Sequence, residues 1–185
     1  YPLGAGFDER DGILFIGGFN HPPNTDAAIY LVQEILPLVS EELGEIPLYL
    51  IGSQPTQQIY ALGSNTVHVP GFVPDIDPYF AKVKLSVAPL RYGAGVKGKI
   101  NMSMAYRVPV VATSIAVEGM HLEHGRSVLV GDDPESFARH VVQLYQDRKL
   151  WEQISDNGLD NIERYFSRQA ARQAVHKILS EVNRG

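Results

Sequence analysis

Six short apolar runs recur along the chain, and most of them end near a glycine or a proline. They span residues 13–18, 47–53, 67–73, 85–90, 108–113 and 127–131. Taken together, the runs lack the regular apolar–polar alternation of strands that expose one face to solvent. Strands of this kind are covered on both faces, as in parallel sheets. The pattern therefore predicts about six buried strands.

Segments with helical spacing of apolar residues separate these runs. The first covers residues 27–43, with Asn24 or Thr25 as its predicted N-cap and Gly44 as its stop. Further helices are predicted at about 56–62, 75–82, 97–105, 133–146 and 149–182, the last with breaks near 157–158 and 166–167. Strands that alternate with helices predict an α/β fold, a Rossmann-like domain with a doubly wound parallel sheet of about six strands.

The domain organisation follows from length and local composition. Residues 1–12 contain glycine, proline and charge without periodicity, and we interpret them as a linker. Residues 13–185 are the predicted domain, with its C-terminal helices. A chain of 185 residues with 44% hydrophobic residues suits one domain with a real core. Because the first residue is Tyr1 and not Met, we expect a piece of a longer protein.

Composition and charge narrow the classes of function. The formal net charge is -5, and the chain has no long basic face, so we expect no nucleic-acid partner. Without cysteine there are no disulfides, thiolate metal sites or cysteine nucleophiles. The histidines have no metal-ligand spacing with acidic partners, so no metal site is predicted. No stretch approaches the roughly 20 apolar residues of a membrane-spanning helix.

The segment most informative about chemistry is 89–113, where a predicted strand runs through a glycine-rich loop into a helix. Glycines at 93, 95 and 98 would let the backbone approach a ligand closely. The start of the helix offers unpaired N–H groups, and Arg91, Lys97 and Lys99 add positive charge. This arrangement would hold an anion such as pyrophosphate. The alternative is a loop that needs glycine only for tight turns, with its lysines facing water.

The same segment resembles the C-terminal domain of retaining glycosyltransferases of family four, whose GT-B architecture has two facing Rossmann-like domains. The matching residues are Gly93, Ala94, Gly95, Lys97, Lys99, Met104, Ala105, Pro109, Val110, Val111, Ala112 and Thr113. Residues 17–28 are similar to the family's first donor-side loop, and residues 69–76 to the loop that holds the nucleotide base. Residues 118–120 resemble the segment after the fifth strand. The resemblance covers roughly residues 13–168.

The resemblance implies one half of a GT-B enzyme, namely its nucleotide-sugar-binding domain. Such an enzyme moves a sugar from a nucleotide-diphospho-sugar to an acceptor hydroxyl with retention, and requires no cofactor or metal. The N-terminal acceptor domain would be absent from this chain, so we expect the isolated domain to be inactive. The implied acceptor is a carbohydrate or a glycolipid. The implied location is the cytoplasm, with a peripheral position at the inner membrane as the alternative.

The predicted donor-site residues lie at strand ends and in the glycine-rich loop. For the diphosphate they are the side chains of Arg91, Lys97 and Lys99, the amides of Gly17, Gly18 and Gly95, and the neighbouring Gly93. Phe72 and Val73 would border the base. Glu118 would hydrogen-bond ligand hydroxyls, or would be a carboxylate at the start of a short helix.

The sequence departs from the family pattern at three positions. Ala94 and Met102 stand where members commonly carry two glutamates, the second of which holds the ribose hydroxyls, so no catalytic residue is assigned. Arg107 replaces the usual glycine in a helix-to-strand turn. Met102 leaves open a catalytically impaired binding module of the same fold. A GT-B nucleotide-sugar epimerase is a further alternative, although such an enzyme usually needs acidic and histidine residues in the cleft.

Overall fold

The computed structural model describes residues 6–170 and Arg172, which contain a six-stranded sheet. The strands are β1 (Ile13–Ile16), β2 (Leu48–Ile51), β3 (Val67–Gly71), β4 (Leu85–Ala88), β5 (Val110–Ala112) and β6 (Leu129–Val130). All pairs are parallel, in the order β3-β2-β1-β4-β5-β6. The predicted doubly wound α/β fold is confirmed. The strands are shorter than the apolar runs, because the terminal glycines and prolines belong mainly to loops.

Eight α-helices connect and cover the strands within the described residues. They are α1 (Pro22–Tyr30), α2 (Leu36–Leu43), α3 (Gln57–Tyr60), α4 (Asp77–Lys82), α5 (Gly98–Ala105), α6 (Ser114–Val117), α7 (Pro134–Gln146) and α8 (Arg148–Asn161). A π-helical turn, Leu31–Ile35, joins α1 to α2, and a second, Ile162–Phe166, follows α8. The first of these precedes Pro37, which has no N–H to donate to an α-helical bond.

The predicted start of the first helix is wrong by a few residues. The N-cap is His21, and prolines 22 and 23 open α1. Proline is favoured in the first turn because its φ is already helical and its missing N–H would have no intrahelical partner there. Asn24 and Thr25 therefore lie inside the first turn, and their side chains reach back to the carbonyls of Gly18 and Phe19.

The predicted break near 157–158 is also wrong, because α8 runs straight through it. Gly158 marks a close approach between helices: a Cβ atom there would lie 3.0 Å from Cγ of Met104 on α5. The predicted break near 166–167 is confirmed, since Ser167 is extended after the second π-helical turn. The helix predicted beyond it falls mostly outside the described residues.

The core lies on both faces of the sheet, as expected for a doubly wound fold. Along β1, Ile13 and Phe15 face the larger apolar cluster, and Leu14 faces a smaller one with Phe80 of α4. The predicted linker also contacts the domain. Arg10 is 3% exposed, and its Nη1 donates to the carbonyls of Phe80 (2.6 Å) and Val83 (3.0 Å).

The turn between α5 and β5 has a left-handed backbone. Arg107, which stands where the family usually has glycine, has a φ of 55°. Its carbonyl accepts a hydrogen bond of 2.5 Å from Ser155 Oγ, and its side chain pairs with Asp156 of α8. A left-handed non-glycine residue is unfavourable by about 1 kcal/mol. These contacts with α8 hold the turn in that conformation.

Candidate functional site

The strand order reverses between β1 and β4, which are neighbours in the sheet although they are distant in the chain. The chain leaves β1 towards β2 on one side, and leaves β4 towards β5 on the other. In open parallel sheets a crevice forms beyond the carboxyl ends of the strands at such a point, and ligands bind in it. The loops that border this crevice contain most of the predicted donor-site residues.

The glycines after β1 and β2 let two loop backbones lie in close contact. A Cβ atom on Gly52 would lie only 1.7 Å from the carbonyl oxygen of Gly17. The amide of Gly17 already donates to Ile51 O at 2.9 Å. Gly17 thus has a packing role, and its amide is already engaged. The predicted contacts of the Gly17 and Gly18 amides with a diphosphate remain predictions.

Lys99 is half-buried in the first turn of α5 and lies against the loop after β1. Its Nζ donates to Asn24 Oδ1 at 2.5 Å and lies 4.8 Å from the centre of the Phe15 ring. Burial, followed by repulsion from Lys97, lowers the pKa of Lys99 to about 8 from its ordinary value of 10.5. Both hydrogen-bonding and stacking partners are neutral, so the charge of this ammonium is not cancelled.

Lys97 is the N-cap residue of α5, and its Nζ donates to Gly95 O at 2.6 Å. Gly93 and Gly95 have φ values of 121° and 81°, which side chains rarely allow, so these two glycines are required by the loop conformation. No side chain caps α5, and its first turn contains no acidic residue. The start of the helix and two lysines thus face one loop, an arrangement typical of anion sites.

Arg91 is engaged differently from the lysines. It donates two hydrogen bonds to Asp26 of α1, from Nε (2.9 Å) and Nη2 (2.5 Å), and its guanidinium stacks over Tyr30. The hydrogen bonds with Asp26 raise the pKa of Arg91 above its ordinary value. Because a carboxylate neutralises it, Arg91 contributes less net charge to the crevice than Lys97 and Lys99 do.

The remaining predicted residues are mostly exposed at the same edge of the sheet. Phe72 is 72% exposed after β3, and Val73 is half-buried against the smaller apolar cluster. Met102 is 41% exposed on α5, and Ala94 is exposed in the glycine-rich loop. Glu118 is the C-cap of α6 rather than a residue at the start of a helix, so the helix-start interpretation is wrong.

Three features of the crevice were not predicted. Asn24 contacts Lys99, Asp26 pairs with Arg91, and a cavity of about 380 Å³ opens beside them, lined by Phe19, Asn20, Pro22, Thr25, Asp26, Ile29 and Tyr92. The two prolines that open α1 were a signal that Asn24 and Asp26 lie in the helix rather than in the loop. Their partners, 75 and 65 residues away, left no local signal.

The described part of the chain has neither a cluster of metal-ligating side chains nor a helix suited to a membrane. Within residues 6–170 and Arg172, no three His, Asp or Glu side chains lie together as a metal-binding group. In that same part of the chain, no helix has the length and apolar character needed to cross a membrane.

Comparison with known proteins identifies the family. Residues 10–147 match the family described as glycosyl transferases group 1, and the chain therefore belongs to that family. It is 23% identical over 174 residues to an uncharacterized 44.6 kDa protein in the cps region of Klebsiella pneumoniae, covering 89% of this chain and 45% of that protein.

Solved glycosyltransferase structures share the fold. A mutant of TarM from S. aureus, in complex with fondaparinux, alpha-GlcNAc-glycerol and UDP, superposes with a TM-score of 0.77 at 17% identity, over 97% of this chain and 36% of TarM. HepE of Anabaena, in complex with UDP and glucose, superposes with a TM-score of 0.73 at 18% identity, over 95% of this chain and 49% of HepE. The C-terminal domain of the glycosyl transferase group 1 protein LpcC from Francisella tularensis superposes with a TM-score of 0.64 at 15% identity, over 85% of this chain and 87% of the LpcC domain.

These matches show which known domain the sheet corresponds to. The sheet is that of the C-terminal domain of GT-B glycosyltransferases. The chain spans about half or less of the length of TarM, HepE and the Klebsiella relative, but most of the length of the LpcC domain.

Proposed function

We propose that this chain is the donor-binding part of a retaining glycosyltransferase and that it binds a nucleotide-diphospho-sugar in the crevice between β1 and β4. The observation that carries the proposal is the pair of lysines beside the start of α5. Lys97 and Lys99 are held by neutral oxygens, next to a helix start without an acidic cap. Two uncompensated cations and free helical N–H groups are suited to a diphosphate.

The leaving group explains why such a site would assist the reaction. When the bond between sugar and diphosphate breaks, negative charge develops on the diphosphate oxygens. Lysine ammonium groups and N–H donors already in place stabilise that charge without reorganisation. The acceptor hydroxyl would enter from the opposite side of the cleft, which a second domain would supply. Neither step draws on a metal or a cofactor from this chain.

We propose a uridine diphosphate donor as the first to be tested, since TarM and HepE have each been solved with UDP. Phe72 and Val73 would border the base. Met102, on the exposed side of α5, would lie near the ribose, where an apolar side chain cannot accept hydroxyl hydrogen bonds as a carboxylate does. We therefore expect modest affinity for the nucleoside. Arg91, which Asp26 neutralises, would contribute less to holding the diphosphate than the two lysines.

Isothermal titration calorimetry of the chain with UDP, GDP and ADP tests the proposal. We expect one nucleoside diphosphate to bind, and Lys97→Ala or Lys99→Ala to weaken its binding by about 1–3 kcal/mol, because each removes a charge-assisted contact. The matched control is Arg126→Ala, which removes an exposed cation paired with Glu123 and should leave the affinity unchanged. Equal affinity in the lysine variants and wild type would refute the phosphate site.

Two other outcomes of the same titration are informative. Binding of UDP that is indifferent to all three substitutions would place the nucleotide elsewhere on the fold. If none of the three nucleotides binds at millimolar concentration, the donor-binding proposal is wrong for this chain, and a binding module of the same fold, as Met102 allows, becomes the better interpretation.

A further inference from the structure

Asn24 is the side chain that connects the loop after β1 to the start of α5. Its Nδ2 donates to Gly18 O at 2.9 Å, and its Oδ1 accepts from Lys99 Nζ at 2.5 Å. Gly17 leaves room for this amide, since a Cβ atom there would lie 2.7 Å from Asn24 Cγ. Both ends of the amide are therefore engaged, and its orientation is fixed.

We propose that Asn24 is a positioning residue, whose amide holds the Lys99 ammonium, charged and without a counter-ion, at the place where the donor diphosphate binds. The inference rests on the function proposed above, and adds to it the residue that sets the direction and the charge of the phosphate-binding lysine. Asn24 itself need not touch the donor.

The choice of an amide rather than a carboxylate is the physical basis of this role. An amide oxygen accepts a hydrogen bond from the ammonium but carries no charge, so the lysine remains a net cation. The contrast lies two residues further along α1, where Asp26 holds Arg91 and neutralises it. A carboxylate at position 24 would cancel the charge of Lys99 in the same way and would repel a phosphate.

The surroundings of Lys99 make its charge sensitive to this partner. From α5 itself, Lys97 repels it. The other two elements in contact contribute neutral groups, namely the ring of Phe15 from β1 and the amide of Asn24 from α1. With no anion among these contacts, the hydrogen bond that Lys99 donates to Asn24 is a main stabilising contact of the charged form. Its removal should favour the neutral amine.

Two substitutions at position 24 should move the titration of Lys99 in opposite directions. Asn24→Leu removes the acceptor and should lower the pKa of Lys99, whereas Asn24→Asp adds a negative charge and should raise it. Both should weaken UDP binding at pH 7, by about tenfold: the first leaves the ammonium unheld, and the second neutralises it and repels the phosphates. Asn24→Asp keeps the size of the side chain but loses the hydrogen bond to Gly18 O, which Asn24→Leu also loses, so the difference between the two variants isolates the charge at position 24.

The measurements are ¹³C NMR titration of the Lys99 ε-carbon in lysine-labelled chain, and calorimetry with UDP between pH 6.5 and 9.5. The lysine signal is assigned by its absence in Lys99→Ala. The matched control is Thr25→Val, which removes a hydrogen bond of the same turn, from Thr25 Oγ1 to Phe19 O (2.9 Å), without touching Lys99. It should retain the wild-type titration and affinity.

The outcomes separate this inference from the function on which it rests. If Lys99→Ala weakens UDP binding but both Asn24 variants keep wild-type affinity and titration, the positioning role is overturned and the donor site stands. A pKa shift in the same direction in both variants, or equal losses in Thr25→Val, would mean a purely structural role and would also overturn it. If Lys99→Ala binds UDP as well as the wild type, the proposed donor site itself fails.

Discussion

Among single residues, Lys99 shows most clearly the conflict between folding and binding. Its pKa is lowered from 10.5 to about 8, chiefly by burial and then by Lys97. Between these two values the unfolded chain binds more protons than the folded chain, so the free energy of unfolding rises with pH in that window. Below about pH 8 the lysine is charged in both states, and the folded state bears the full free-energy cost of burying the ammonium. A charge kept at such a position is typical of a functional group.

We therefore expect Lys99→Met to stabilise the fold and to weaken UDP binding, as Lys99→Ala does. At pH 7 the free energy of unfolding should increase by about 1–3 kcal/mol, because the methionine has no charge to desolvate. Urea denaturation at pH 7 and pH 10 measures this, and most of the difference should disappear at pH 10, where the lysine is neutral in the folded chain. A variant that is less stable than the wild type at pH 7 would contradict the expectation.

At the residue scale, the sequence indicated which residues line the candidate site, but not which of them contact one another. Lys97, Lys99 and the loop glycines were predicted because they lie next to each other and follow a strand. The pairing of Lys99 with Asn24, and of Arg91 with Asp26, was not predicted, because it depends on how α1 lies against α5 and against the loop after β4 across the crevice. No short-range pattern contains that arrangement.

At the scale of elements, the apolar runs predicted all six strands of the described residues, whereas glycine was an ambiguous signal for the end of a helix. In the predicted runs, Gly17 and Gly52 end strands, and the pattern agrees with the structure. Gly158 was interpreted as a helix break, but lies inside α8, where it allows contact with Met104. A glycine that ends a helix and a glycine that admits a neighbour are alike in sequence, since only the tertiary contact distinguishes them.

Substitution at Gly158 tests the helix–helix contact. We expect Gly158→Leu to lower the free energy of unfolding by about 1–3 kcal/mol, because the added side chain meets Met104 in a packed interface. Urea denaturation measures the loss. Combining it with Met104→Ala should recover part of the loss, since the leucine then occupies space vacated by the methionine. If the double variant is less stable than the sum of the two single losses predicts, the two side chains do not share that space.

At the scale of the whole molecule, the proposed donor site lies on an open surface of the domain. The crevice between β1 and β4 opens at the edge of the sheet, and Phe72 and Met102 are exposed there. The solved relatives TarM and HepE are two to three times as long as the part that matches this chain. We propose that a second domain closes the cleft and excludes water from the reacting sugar.

We therefore expect the 185-residue chain to bind a nucleotide without transferring sugar. Radiolabelled UDP-glucose and UDP-N-acetylglucosamine, incubated with the chain and a range of saccharide acceptors, should give no labelled product. Calorimetry with UDP in the same buffer is the control that the binding site is intact. Sustained transfer by the chain alone would show that this domain contains a complete active site.

The position of the crevice in the strand order has a mechanical consequence. Strands β3, β2 and β1 come from the first part of the chain, and β4, β5 and β6 from the rest, so one boundary divides the sheet into two consecutive halves of the polypeptide. A nucleotide lying across that boundary would contact both halves at once. Its binding would couple the local unfolding of the two halves. Backbone amides in β1 and β4 would then exchange their hydrogens with solvent at a common, slower rate.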